Sequence, residues 1–439
     1  MLEASSEGLD RQLLTSQAVK RGKVRFEDWS WRQMLLRFRA TNFASLRDEA
    51  ELSLVATDEH PDLAVRPVPR ERLNALPVVG IFGPNASGKS NVVKALGFAR
   101  DAVRLSHQRW LPEEPIPGRW PFRLDADSGS RPSEFVFDFV VDDVRYEFGF
   151  SLDDEAIRQE WLYAFPKGRR QVYLEREGNS LHFGNHLTGP RELIAETVRP
   201  NSLFLSAAAA LNHPQLGRIY RWFSPRQMIA AEHEPTPRRP PHCLPDDRML
   251  ALMRFADLGI VGAEIVQRDG GGAPGPMEPK IEFLHSASTE GGEATMPWQW
   301  ESAGTRNWFD LLQLAVRALD AGGLLAIDDL GSELHPLLTA AFVRLFHEPA
   351  TNPRGAQLIF NSHDVGLLGR HRDIRLARDQ VWLTEKDETG ASRLYPLSEF
   401  RVRGGLDDVE GRYLKGRYGA VPFLDHETLN LLDPSVRAA

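Results

Sequence analysis

Gly83-Pro84-Asn85-Ala86-Ser87-Gly88-Lys89-Ser90 is the stretch on which the reading of this chain turns. It fits G-x-x-x-x-G-K-[ST] without departure. The apolar run Pro77–Phe82 before it suits a buried parallel strand, and the spacing of Asn91–Val103 after it is helical. In that context the glycines let the backbone curl until several N–H groups face one anion, and the helix N-terminus adds partial positive charge. Lys89 is expected to reach the β- and γ-phosphates, and Ser90 to place its hydroxyl on Mg²⁺. Gly83 through Asn91 form the candidate nucleotide site.

Working outward, Gly323–Ile327 is a second apolar strand, ending in Asp328 and Asp329. Alone, such a pair is more often a turn or cap. Beside a phosphate loop it points to Asp328 on Mg²⁺ and Asp329 at the attacking water. Glu301-Ser302-Ala303-Gly304-Thr305 opens a helical pattern ahead of that strand, and Asn361-Ser362-His363-Asp364 ends the strand after it. As isolated residues, Ser302 reads as a helix cap and His363 as structural.

Strands alternating with helices at both ends predict an α/β fold. Leu35–Asn42 and Glu49–Ala56 read as strands. Glu134–Leu152 reads as a hairpin turning at Asp142-Asp143, with a third strand over Ile157–Phe165. Residues 190–230 look mainly helical, while Glu234–Asp247 and Asp269–Pro276 read as loops. Strands are expected near Lys280–His285, Gln357–Asn361 and Gln380–Glu385. Helices are expected over Thr305–Ala321 and Leu334–His347. The phosphate loop and Ser302 lie more than 200 residues apart, so much of the chain is inserted within the core. The expected division is an extension at 1–33, a split core at 34–103 and 301–439, and an inserted β-rich and helical lobe at 104–300. That lobe also supplies part of the core sheet. The extension reads as poorly ordered, as a start-codon artefact, or as a partner-binding arm using Trp29 and Trp31.

The chain has 439 residues, too many for one core. Its 53 basic and 61 acidic residues give a net charge of −8, which excludes a broadly basic nucleic-acid binder but leaves a local basic groove open. The single cysteine, Cys243, excludes an internal disulfide and a cysteine-based zinc site. No apolar run approaches a membrane span and no signal-peptide pattern opens the chain, so a cytoplasmic location is expected. Arg401, Arg403, Arg412, Lys415 and Arg417, with Tyr413 and Tyr418 between, read either as a site for phosphate, nucleic acid or an acidic partner, or as solvated surface. Trp161, Trp298, Trp300 and Trp308 are expected to pack in the core rather than stack on bases.

The order of phosphate loop, Ser302/Gly304, Asp328-Asp329 and His363 resembles the ABC-type ATPases, in the branch that includes RecF and SMC proteins. Further segments narrow the resemblance to small bacterial ATPases related to the overcoming-lysogenization-defect (OLD) group. They are Asn42–Asp48, Pro121–Asp125, Glu333–Pro336 and Tyr413–Pro422. Many members of that group serve in abortive-infection and anti-phage operons, the Rlo-type and PARIS-type ATPases among them.

By this resemblance the fold is an ABC-type nucleotide-binding core with a mixed sheet. ATP and Mg²⁺ are the cofactors, and two subunits sandwich ATP head to tail. Ser302, Gly304 and Thr305 then act in trans on the opposite subunit's γ-phosphate. Lys89, Asp329 and His363 are the catalytic set, and Ser90 and Asp328 hold the metal. The partner it implies is a separate toxin or nuclease protein.

Three departures stand out. Asp329 replaces the family's usual glutamate, which shortens its reach by about 1.5 Å; the outcome is slow turnover or a backbone adjustment that restores the reach. Ala44 stands where relatives often carry arginine. The usual Q-loop glutamine has no clear match; Gln108 and the region near Phe122–Asp125 are the candidates. Two other functions remain open: a RecF/SMC-like DNA-repair ATPase, against which the lack of a sustained heptad run counts, and a nucleotide-gated scaffold with little turnover.

Overall fold

The computed structural model describes residues 33–231, 244–256, 259–266, 280–287, 292–369, 374–401 and 408–422. In chain order the strands begin with β1 (Gln33–Thr41), β2 (Ala50–Ser53), the short ribbon β3 (Arg66–Pro67) and β4 (Asn74–Ala75), and β5 (Val78–Phe82). Helix α1 (Lys89–Arg109) follows the phosphate loop. Next come β6 (Ser133–Val141), β7 (Val144–Leu152), β8 (Ile157–Phe165), β9 (Gln171–Glu177) and β10 (Ser180–Phe183). Three short helices, α2 (Arg191–Ala195), α3 (Phe204–Ala210) and α4 (Leu216–Trp222), lead to β11 (Met228–Ala231). Helix α5 (Asp247–Phe255) precedes β12 (Ile260–Val266), β13 (Lys280–Ser286) and β14 (Glu293–Pro297). The last part holds α6 (Ala303–Ala321), β15 (Leu324–Ile327), α7 (Pro336–His347), β16 (Gln357–Asn361), β17 (Val381–Lys386), β18 (Ser392–Pro396) and α8 (Val409–Leu414).

The result is a mixed α/β nucleotide-binding core built in layers. A seven-stranded antiparallel sheet runs β10-β9-β8-β7-β6-β1-β2, and a six-stranded sheet runs β11-β15-β16-β5-β17-β18. In the second sheet only β18 is antiparallel to its neighbour. Alternation on β5 explains the layering. Val79 and Ile81 join α1 and the phenylalanines of β6 and β7 in one core between the sheets. Val78 and Phe82 face the other way, into a core with α6 and α7.

Two buried polar links fix the layers. Gln357, at the start of β16, accepts from Leu35 N at 2.7 Å and donates to the carbonyls of Leu35 and Leu76. Glu160 on β8 accepts from the amides of Phe204 and Leu205, which open α3. It also pairs with Arg176 on β9 at 3.8 Å.

Several expectations change. The second strand covers only Ala50–Ser53, and the segment 190–230 ends in β11, which pairs parallel with β15. Strands β9, β10, β12, β14 and β18 and helix α5 carried no strong sequence pattern. The end of the proline-rich stretch is a cap, because Asp246 accepts from Met249 N at 2.8 Å and starts α5. Residues 234–243 of that loop, the glycine-rich loop and residues 1–32 lie outside the described residues, as does Arg403. Trp298 and Trp308 are buried and Trp161 half-buried as expected, but Trp300 is 73% exposed. The tyrosines of the basic segment do not interleave its cations at the surface. Tyr413 is buried and donates to Ala420 O, while buried Tyr418 accepts at its carbonyl from the Tyr395 hydroxyl. Arg401, Lys415 and Arg417 remain exposed.

Candidate nucleotide site

Strand β5 ends at Phe82 and α1 begins at Lys89, so Gly83–Gly88 must turn sharply between them. Gly88 has φ +105°, and a Cβ there would lie 2.1 Å from Ser392 Oγ. A Cβ on Gly83 would lie 2.4 Å from the Thr384 carbonyl. Neither position accepts a side chain, which is the local reason for both glycines.

The loop is fastened on its β17–β18 flank. Ser87 Oγ lies 2.6 Å from Thr384 Oγ1, and the Ser392 hydroxyl donates to Ser87 O at 2.6 Å. Ser45, in the turn between β1 and β2, sits 2.6 Å from Ser392 Oγ and accepts from Asn91 Nδ2 at 2.6 Å. Asn91 is therefore turned toward Ser45. Asn85 and Ala86 are exposed, Pro84 and Ser90 half-buried.

Lys89 folds back over the loop, donating to Gly83 O at 2.9 Å and Pro84 O at 3.0 Å. Burial lowers its pKa, and the charges of Asp329 and Asp328 oppose that shift. Those carboxylates arrive from β15, two strands away from β5. All four residues of β15 are buried, so the strand ends where its first polar side chain appears.

Asn361, the last residue of β16, joins the two acids. Its amide nitrogen donates to Asp328 Oδ1, and its amide oxygen accepts from Asp329 N at 2.9 Å. Asp329 is held at φ +57°. Two residues on, exposed His363 completes the group. Its pKa is lowered by partial burial and the Lys89 charge, against the pull of Asp329 and Asp328. Lys89, Asp328, Asp329 and His363 thus share one electrostatic environment at the ends of three adjacent parallel strands.

Ser302 and Gly304 have different neighbours. Ser302 is exposed and caps α6: its Oγ accepts from Thr305 N at 3.0 Å and lies 2.8 Å from Thr305 Oγ1. A Cβ on Gly304 would lie 3.1 Å from Glu333 O, so the start of α6 abuts the turn that follows Asp329.

Gln108 is excluded as a contact. It is exposed near the far end of α1, about 28 Å along the axis from Lys89 at 1.5 Å per residue. Phe122–Asp125 lies much closer to the loop's flank. Phe122 N donates to Asn42 Oδ1 at 3.1 Å, and the Arg47 guanidinium lies 5.8 Å from the Phe122 ring centre. Arg47 in turn bonds Asp48 and Thr389 at 2.9 Å. The segments Asn42–Asp48 and Pro121–Asp125 therefore dock on each other beside the phosphate loop. Ala44 itself is half-buried at φ +50° and donates from its amide to Trp120 O. Asn361, Ser45, Thr384 and Ser392 are the residues sequence reasoning left without a role. Only Asn361 carried a signal, as the end of the strand before His363.

Among the described residues no cluster of three or more His, Cys, Asp or Glu is assembled for a metal. Mg²⁺ bound through phosphates needs only one or two protein oxygens. The carboxylates of Asp328 and Asp329 and the Ser90 hydroxyl are of the right kind. No helix among the described residues is long and apolar enough to cross a membrane.

No curated protein matches the chain. A family profile described as "AAA domain, putative AbiEii toxin, Type IV TA system" matches residues 78–220 and 263–369. The first span opens on β5 and takes in the phosphate loop. The second takes in Ser302, Asp328, Asp329 and His363. The match covers more than half of the chain, and by it the chain belongs to this family of AAA-type ATPase domains associated with toxin–antitoxin and abortive-infection systems.

Proposed function

We propose that the chain binds ATP and Mg²⁺ at Gly83–Asn91 and hydrolyses ATP slowly, as a head-to-tail dimer that regulates a separate toxin or nuclease in anti-phage defence. The observation that carries this reading is the convergence of Lys89, Asp328, Asp329 and His363 around the phosphate loop. Ser90 and Asp328 would hold Mg²⁺, which when bound would supply neutralisation of phosphate charge. Lys89 exchanges the carbonyls of Gly83 and Pro84 for phosphate oxygens. Asp329 accepts a hydrogen bond from the attacking water. His363, its pKa lowered, is neutral at pH 7 and contacts the γ-phosphate as a neutral imidazole. Ser302 and Gly304, with the N-terminus of α6 behind them, face the partner's γ-phosphate.

A second reading, a nucleotide-gated scaffold with little turnover, is favoured by Asp329, whose carboxylate is one methylene short of glutamate. Single-turnover hydrolysis separates the two. Turnover lost in Asp329→Ala supports the enzyme, and tight ATP binding without turnover supports the scaffold. The defence role rests on the family's description. It is tested by phage challenge of cells carrying the gene with its genomic neighbours, with and without Lys89→Ala. Equal phage sensitivity of the two would refute it.

A further inference from the structure

We propose that His285 is a positioning residue for ATP hydrolysis. From the accessory sheet β12-β13-β14 it holds Glu301, and through Glu301 the turn that presents Ser302 and Gly304. This rests on the ATPase reading above and adds to it a residue outside the nucleotide motifs.

The geometry begins with β13, the central strand of that sheet, bonded to a neighbour on each side. Ile281, Phe283 and His285 alternate onto one of its faces. Ile281 and Phe283 are buried. The Phe283 ring centre lies 5.9 Å from Trp298 and 5.3 Å from Phe309, and those two rings are 5.4 Å apart. This triad clamps β13 to the 3-10 turn Trp298–Trp300 and to α6. His285 extends the same line by one position. Its Nε2 lies 2.7 Å from Glu301 Oε1, and the Glu301 side chain is only 3% exposed.

Glu301 immediately precedes Ser302, the cap of α6, and its own N–H is tied to Trp298 O at 3.2 Å. A buried carboxylate that loses its hydrogen-bond partner must move toward water or take up a proton. Either response displaces Ser302 and Gly304. The phosphate loop is supported by β5, β17 and β18, so it does not feel that displacement. The expected signature is a fall in turnover with ATP affinity kept. A shift of ~1 Å in a reacting array is worth up to about 100-fold in rate.

The test uses the full chain and two variants, His285→Ala and His285→Gln, the second keeping a donor. Steady-state hydrolysis gives kcat and KM, and amide hydrogen exchange without nucleotide reads Thr305 and Arg306. His285→Ala is expected to lower kcat by about tenfold or more, to leave KM within about twofold, and to speed exchange at both amides. His285→Gln is expected to restore most of the rate. Unchanged turnover and exchange in His285→Ala would overturn the proposal. So would a parallel loss of kcat, ATP affinity and thermal stability that glutamine does not rescue. A wild-type chain that hydrolyses no ATP would overturn the ATPase reading and the positioning role with it, and the exchange data would still report whether His285 holds the turn.

Discussion

Asn361 holds Asp328 directly: its amide nitrogen donates to Asp328 Oδ1 while its amide oxygen takes the N–H of Asp329. One side chain at the end of β16 thus fixes both acids at the end of β15. Asn361→Leu removes both bonds and leaves a nearly buried carboxylate short of a donor. Such changes cost about 1–3 kcal/mol in stability, and loss of a group supporting a metal ligand costs about 10–100-fold in metal affinity or activity. The thermal midpoint and the Mg²⁺ dependence of hydrolysis are both expected to worsen. A variant matching wild type in both would remove Asn361 from the site.

Asp329 offers a sharper test of rate. Asp329→Glu restores the missing methylene at a position held at φ +57°, so it adds reach at a small backbone cost, since aspartate enters the left-handed region more readily than glutamate. Faster single-turnover hydrolysis than wild type is expected, with ATP affinity unchanged. A slower Asp329→Glu would show that the surrounding backbone already compensates for the shorter side chain.

The ion pair between Glu160 and Arg176 predicts fold stability rather than activity. Burial raises the pKa of Glu160, and Arg176 and the amides of Leu205 and Phe204 oppose that shift. Burial likewise lowers the pKa of Arg176 against the pull of Glu160. Glu160→Ala leaves the buried guanidinium without its counter-charge, held by backbone carbonyls alone, and unties the start of α3. A loss of about 3–5 kcal/mol in denaturant unfolding is expected. A change within experimental error would mean that the carbonyls of Ser202 and Gly178, each 2.7 Å from Arg176, satisfy it alone.

Much of this was legible in the sequence, and the reason is physical. The phosphate loop, the acids and His363 sit at ends of buried parallel strands, where apolar runs stop abruptly at polar residues. The phenylalanines of β6 and β7 alternated strongly enough to announce their hairpin. Gln108 misled because a glutamine shortly after the loop looks close in sequence, whereas a straight helix carries it away. Ser45, Thr384 and Ser392 were invisible because small hydroxyl residues have no pattern of their own. Only the meeting of β17, β18 and the β1–β2 turn gives them a role. Trp300 was misread because large aromatic residues are usually buried, and nothing local marked its turn as facing solvent.

His347 predicts a pH dependence of stability. Burial, and then the nearby His60, push its pKa down to about 4, and the Gln380 amide nitrogen lies 2.9 Å from its Nε2. The unfolded chain takes up this proton near 6.5, the folded chain only near 4. Stability from this group is therefore complete above pH 6.5 and lost as pH falls toward 4, by an amount on the order of 3 kcal/mol. Thermal midpoints of wild type and His347→Gln between pH 7 and 4.5 are expected to converge as pH falls. Parallel curves would show that His347 does not titrate in this way.

The proposed function requires that each working site is shared between two subunits. It is tested by mixing Lys89→Ala chains, which lack the phosphate-loop lysine, with Ser302→Arg chains, which lack the Ser302 hydroxyl that faces the partner's γ-phosphate. Each variant alone is expected to be inactive. In the mixed dimer the loop of the Ser302→Arg chain meets the intact Ser302 of the Lys89→Ala chain, so one site is whole. ATP hydrolysis is expected to return to about a quarter of the wild-type rate, because half of the dimers are mixed and each holds one intact site. No recovery on mixing the two folded preparations, or full activity of the Ser302→Arg chain alone, would contradict the shared site.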